Sequence, residues 1–289
     1  MIGRPPLAAA VTGLALVVAL GGGTPRPEIE LAARGAIIVH AARAEAALAL
    51  LRERLAAALD AGRAGSARTI AGDAAPGPMF DRAADGVLAS VDVALDALDA
   101  RDDVAAARSA RSPEVIALPP APDPAELVSL GAQLAATADA AETFVQMRGR
   151  AESVTPTLLA ALDALEAGEI DVAEGLVSDA RAALDTLAAW EVGAVTLPVW
   201  LTTADEMIGA MQRLVTATRD GDLPGAEAAA AEFAALAEDA PSADRALRIA
   251  LGEGGSAVGA TALERLAAHL AATDELGVAI AAARQGVGG

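Results

Sequence analysis

His40 and His269 are the only two imidazoles in the chain, and they lie far apart in it. Histidine is the side chain best suited to move a proton or hold a metal near neutral pH. His40 follows Ile37, Ile38 and Val39, and His269 sits within LERLAAHLAAT. Neither has an acid or a second histidine three or four residues away, the spacing that brings two side chains to one helix face. Glu45 and Glu264 are each five residues off. Both histidines therefore read as packed or surface residues, and neither a metal nor a cofactor is expected. Carboxylates are abundant: Asp102 and Asp103, Asp163 and Glu166, Asp220 and Asp222, Glu238 and Asp239. Asp220-x-Asp222 followed by Glu227 superficially suggests calcium, but the twelve-residue ligand pattern is missing. Acids near helix starts complement the helix dipole, which is reason enough for them.

Other chemistries lack their parts. The chain has no Cys, which excludes disulfides, thiolate metal sites and thiol catalysis. It has no Lys, so the supply of bases falls to carboxylates. The glycine clusters GGG (21–23) and GEGG (252–255) follow no strand and carry no GK[ST], so they match no phosphate loop. The chain is expected not to be an enzyme. Its five aromatics are Phe80, Phe144, Trp190, Trp200 and Phe233. Trp190 and Trp200 bracket EVGAVTLPV. With Met207 and Met211 they could line an apolar pocket between helices. They could equally fill the core of one hairpin.

The elements that position these residues are helical. The chain has 289 residues, 54% of them hydrophobic and mostly Ala and Leu, which are strong helix formers. Aromatics are 2% and no window alternates with period two, which argues against sheet. The fold class expected is all-α: an antiparallel helical bundle or an irregular array of αα-hairpins, some ten helices joined by short turns. Leu48, Leu51, Leu55 and Leu59 mark one face. Leu127, Leu130, Leu134, Ala138, Ala141 and Val145 mark another. Ala173, Leu176, Ala180, Leu184 and Leu187 mark a third. Thr155-Pro156, Pro198 and Pro224 read as helix starts.

Two stretches repeat a pattern: EAGEIDVAE at 166–174 and RDGDLPGAE at 219–227. In each, a helix ends at a glycine, an acid follows, and an alanine comes about one turn later. DAGRAGSAR at 60–68 and DARDDVAAAR at 99–108 read as degenerate copies, giving hinges at Gly62, Arg101, Gly168 and Gly221. The Gly-Asp-x-x-x-Ala element is similar to the inter-helix turn of tetratricopeptide repeats. The large aromatic and Leu-Gly positions of that repeat are missing here, Phe233 and Pro241 fall out of register, and the spacings are not fixed. The element is read as a generic αα-hairpin turn.

Residues 1–26 read as a signal peptide or membrane anchor. Arg4 precedes the charge-free apolar run Leu7–Leu20, then come Gly21, Gly22 and Gly23, with Pro25 and Pro27. Counting residues 7–23 gives a segment at the lower limit for a membrane span. The chain beyond it is expected outside the cytoplasmic membrane, secreted or anchored. Residues 27–111 form an expected N-terminal helical subdomain, 112–124 a Pro-rich linker, 125–285 a C-terminal helical bundle and 286–289 a frayed tail. Net charge is −19, which disfavours nucleic acid and anionic lipid. The function expected is a non-enzymatic interaction scaffold with a protein partner, associated with the membrane through its N-terminal segment. The alternative is a bundle that binds a small apolar ligand beside the tryptophans.

Overall fold

The computed structural model describes residues 27–112, 117–190 and 197–287. Among them 89% are helical and there is no strand, so the fold is all-α. The helices are α1 (Pro27–Ala71), α2 (Gly77–Leu88), α3 (Val91–Arg111), α4 (Pro124–Glu166), α5 (Ile170–Ala188), α6 (Pro198–Asp220), α7 (Leu223–Ala257) and α8 (Ala260–Gln285). The expected signal or anchor at 1–26 lies outside the described residues.

The helices are fewer and longer than the prolines and glycines suggest. Pro156 does not restart a helix: it sits inside α4, and Pro241 inside α7. A proline there removes one backbone donor. Beside Pro156, the hydroxyls of Ser153 and Thr157 donate to the carbonyls of Arg150 and Ser153, both at 2.8 Å. GEGG is not a break either. Gly254 and Gly255 are buried within α7, and a Cβ on Gly255 would lie 3.3 Å from the Cα of Ile70 and from the Phe144 ring. The small residue is there so that helices can approach closely. The chain turns instead at Val258–Gly259, where Gly259 has φ of 76°.

The repeated turn divides in two. Gly168 (φ 77°) and Gly221 (φ 71°) take the left-handed conformation that ends α4 and α6, as a C-terminal glycine should. Asp222 then caps α7 by accepting from the N–H of Gly225 at 3.2 Å, whereas Glu169 makes no such bond at the start of α5. The two supposed earlier copies are not turns. Gly62 lies within α1, packed against Leu263, and Arg101 lies within α3. Arg101 holds down the Pro-rich stretch, its guanidinium donating to the carbonyls of Pro119 (2.9 Å) and Leu118 (3.1 Å).

The described residues form two compact units. One takes the chain up to Arg63, Met79–Ala136 and the chain from Thr261 on; the other takes Ala64–Pro78 and Thr137–Ala260. Both flanks of the non-helical stretch before Pro124 belong to the first unit, so the segments 27–111 and 125–285 do not coincide with these units. The first unit's core joins Ala41, Ala44 and Leu48 of α1 to Ala97, Ala100 and Val104 of α3, with Leu276 and Ile280 of α8 and Leu118. Alanine at the contact faces lets these backbones pack closely. In the second unit α5 packs on α6, and α6 on α7. Arg219 of α6 reaches back to Glu174 (2.6 Å) and Asp171 (3.0 Å) of α5. That charge-assisted pair holds the exposed Glu174 carboxyl below its ordinary pKa.

Candidate functional site

Of the four residues expected to line a pocket, Trp200, Met207 and Met211 are buried in the core of the second unit and Trp190 is half-buried. Trp200 is 3% exposed and donates its indole N–H to Asp244 at 3.2 Å. Met207 and Met211 are buried. Trp200 and Met207 border one cavity with Val154, Leu158, Ala204 and Ala243, of about 10 Å³. That is room for about one water. Met211 and Trp190 do not border it. Trp190 packs instead on Phe144, ring centres 5.6 Å apart and planes tilted by 54°. Its buried indole N–H has no partner among the described residues.

Each histidine has an acid partner that spacing along one helix could not reveal, because the partner comes from another helix. His40 Nδ1 on α1 lies 3.2 Å from Asp103 of α3, and Arg43 approaches the same carboxylate at 4.0 Å. His269 Nε2 on α8 lies 3.5 Å from Glu126 of α4. Burial lowers the His269 pKa below its ordinary value, against the opposing pull of Glu126 and with help from Arg265. Among the described residues no three or more His, Cys, Asp or Glu side chains come together to hold a metal.

A larger space exists in the first unit. A groove of about 780 Å³ is lined by Ile37, Leu118, Ala279, Ala283 and Val287, with Arg108 and Arg111 beside it. Both arginines lie in the last turn of α3, where a cation complements the helix dipole, and Arg111 donates to the Gly286 carbonyl at 3.3 Å.

The feature that stands apart is the outer face of α1. The helix buries Ala33, Ile37, Ala41, Ala44, Leu48, Leu51 and Leu55. At 3.6 residues per turn these fall on one side. The opposite side, from residue 31 to residue 50, exposes Leu31, Ala32, Gly35, Ile38, Val39, Ala42, Arg43, Ala46, Ala49 and Leu50. Leu31 is 72% exposed, Ile38 47% and Val39 66%. The one charge, Arg43, sits at the edge and is engaged with Asp96 and Asp103. The strip ends at Glu53, which is exposed in the same line. The stretch is apolar on two opposite faces, with Arg34, His40 and Glu45 at the flanks between them, and one of the two faces is covered. The exposed strip is on the order of 500 Å², as large as the biggest apolar patch on an ordinary monomer. Sequence reasoning missed it because a stripe search stops at the first apolar face it finds.

A second long apolar stretch lies within Leu223–Gln285. An 18-residue window there has mean hydropathy 1.3, enough by length and composition to cross a membrane, with 22% of the window buried. A core helix passes the same test. α8 sends Leu266, Leu276 and Ile280 inward, while Asp274 pairs with Arg52 (2.6 Å) and Arg284 with Glu45 (2.7 Å).

The chain matches no protein-family model, no curated protein and no solved structure.

Proposed function

We propose that this chain is a non-enzymatic interaction scaffold that works outside the cytoplasmic membrane, held there by residues 7–23 or released after cleavage behind them. The face it offers to a protein partner is the outer strip of α1. One observation carries this reading: from Leu31 to Leu50 the helix is apolar on both sides, and only one side is covered. An exposed apolar strip of this kind is often functional on a monomer, and this one is free of acids on a chain of charge −19.

The test places a photo-cross-linking amino acid at Val39 of the full chain in a bacterial host. Val172, exposed in the second unit, is the control. Cross-links to one protein from Val39 alone, lost with Ile38→Glu, support the reading. Silence at Val39, or the same products from both sites, refutes it. Fractionating the same cells tests the address. Full-length mass in the membrane, or mass cut near Gly21 outside it, supports the address; full-length protein in the cytosol overturns it.

A second reading, a bundle that holds a small apolar ligand, draws its support from the groove beside Ile37, Leu118 and Ala283 and not from the tryptophans. The groove falls within the size of small-molecule sites. Filling it with Ala283→Trp should abolish any ligand binding that Met207→Ala leaves intact.

A further inference from the structure

We infer that the groove of the first unit takes a long-chain fatty acid, its carboxylate against Arg108 and Arg111 and its acyl chain along Ile37, Ala279, Ala283 and Val287. The inference rests on the second reading, a bundle that holds an apolar ligand in this groove, and it names the class of that ligand.

Charge is the first ground. Arg108 and Arg111 are both half-buried. Of the arginines that are not exposed, Arg108 alone has no hydrogen bond or ion pair for its guanidinium among the described residues; Arg34, Arg54, Arg101, Arg111, Arg148, Arg181 and Arg265 each have one. A guanidinium cannot shed its charge, so holding it partly out of water without a partner costs free energy that an anion would return. Arg111 lies three residues on, which brings it to the same face of α3. It spends one nitrogen on the Gly286 carbonyl at 3.3 Å and keeps the rest of its fork. Glu30 is the one acid among the described lining residues, and Arg34 engages it at 3.2 Å. Neither lining arginine therefore has a carboxylate of the chain, although the chain carries 40 acids. Dipole complementation accounts for cations in this turn of α3 but not for the groove beside them.

Shape is the second ground. All the lining residues belong to the first unit. The wall that α8 supplies is made of small residues three or four apart, Ala279, Ala282, Ala283 and Gly286. Leucine at those positions would close the space. Ile37 and Val287 pack with Ala107 into a small buried cluster at its base. A groove of about 780 Å³ that is apolar over most of its lining and cationic at the end of α3 suits an amphiphile with an anionic head. Guanidinium groups take a carboxylate through paired N–H bonds. Glu30, on the same lining, favours a head of one negative charge over a phosphate of two.

The test is calorimetric titration of the purified full chain with submicellar oleate, and with oleyl alcohol as the uncharged match. Oleate should bind once per chain, and oleyl alcohol at least about tenfold more weakly, the worth of a charge-assisted hydrogen bond. Arg108→Gln should weaken oleate by about tenfold and leave oleyl alcohol unchanged. It should also leave the thermal midpoint where it was, since the side chain makes no contact to lose. Arg108→Lys, which keeps the charge without the fork, should recover part of the affinity. Ala283→Trp should abolish binding of both probes, with Ala279→Leu as the milder filling should the tryptophan variant melt early. Oleyl alcohol binding as tightly as oleate leaves the groove an apolar site and sinks the inference. Dodecyl phosphate binding more tightly than laurate overturns the carboxylate head. Oleate binding that survives a filled groove lies elsewhere on the chain and overturns the inference as well. No binding of either probe sinks it together with the second reading.

Discussion

Leu50 and Leu51 are neighbours of identical chemistry on α1, and the structure assigns them opposite environments. Leu51 is 0% exposed and Leu50 is 41% exposed. Replacing either with alanine removes the same atoms and improves intrinsic helix propensity slightly. At Leu51 the loss is the transfer free energy of three carbons, about 0.8 kcal/mol each, plus the cavity left in a core that relaxes only in part. The expected destabilisation is about 2–5 kcal/mol. At Leu50 a large share of the side chain is already in water and no closed cavity forms, so the expected cost is about 1 kcal/mol or less. The assay is urea unfolding of the full chain, read by helical circular dichroism and by tryptophan fluorescence. Trp190 and Trp200 both belong to the second unit, whereas Leu50 and Leu51 belong to the first. If Leu51→Ala shifts only the dichroism midpoint, the units unfold separately; if both midpoints move together, they unfold as one. A cost for Leu50→Ala equal to or larger than that for Leu51→Ala would refute the assignment of faces on α1, and the interaction strip with it.

Three further outcomes follow from the packing. Gly255→Ala places a Cβ 3.3 Å from the Ile70 backbone and should cost about 1–3 kcal/mol, while Gly252→Ala, with nothing within 4 Å, should stabilise by up to about 1 kcal/mol; thermal melts of the pair check this. Asp222→Ala removes the cap of α7 and should cost about 1 kcal/mol, whereas Glu169→Ala, which removes no cap bond, should cost less. His269 has a folded pKa depressed by burial, so the unfolded chain binds its proton first as pH falls. Stability associated with neutral His269 is present above the unfolded value near 6.5 and is lost as pH drops through the lower folded value; unfolding midpoints between pH 7 and 5 should fall more steeply in the parent than in His269→Gln.

What the sequence discloses and what it hides divide along a physical line. Helical periodicity reads out wherever one face is apolar. Leu48, Leu51, Leu55 and Leu59 are all buried, as are Leu127, Leu130, Leu134, Ala138 and Ala141. Positive-φ turns read out where a glycine is followed by a capping acid, as at Gly221-Asp222. The same letters mislead when packing overrides local preference. Gly62 and Gly255 look like breakers and are close-approach points inside helices. Pro156 looks like a start and lies mid-helix. Contacts between helices distant in sequence leave no local trace at all. His40 with Asp103, His269 with Glu126 and Arg101 with Pro119 could only be seen once the helices were placed. Among the expected pocket residues, Trp200 and Met207 share a space too small for more than about one water.

The bare strip on α1 does not weaken the fold, because the unfolded chain exposes the same side chains. Its free energy is spent only on association. Covering the roughly 300 Å² exposed by Leu31, Ile38 and Val39 would return on the order of 7 kcal/mol at ~25 cal/mol per Å². A free partner must first meet the entropic cost of association, of order 4–15 kcal/mol, which consumes most or all of that gain. A protein partner that binds measurably must therefore bury more than these three side chains, the exposed Leu50 and the alanines between them included.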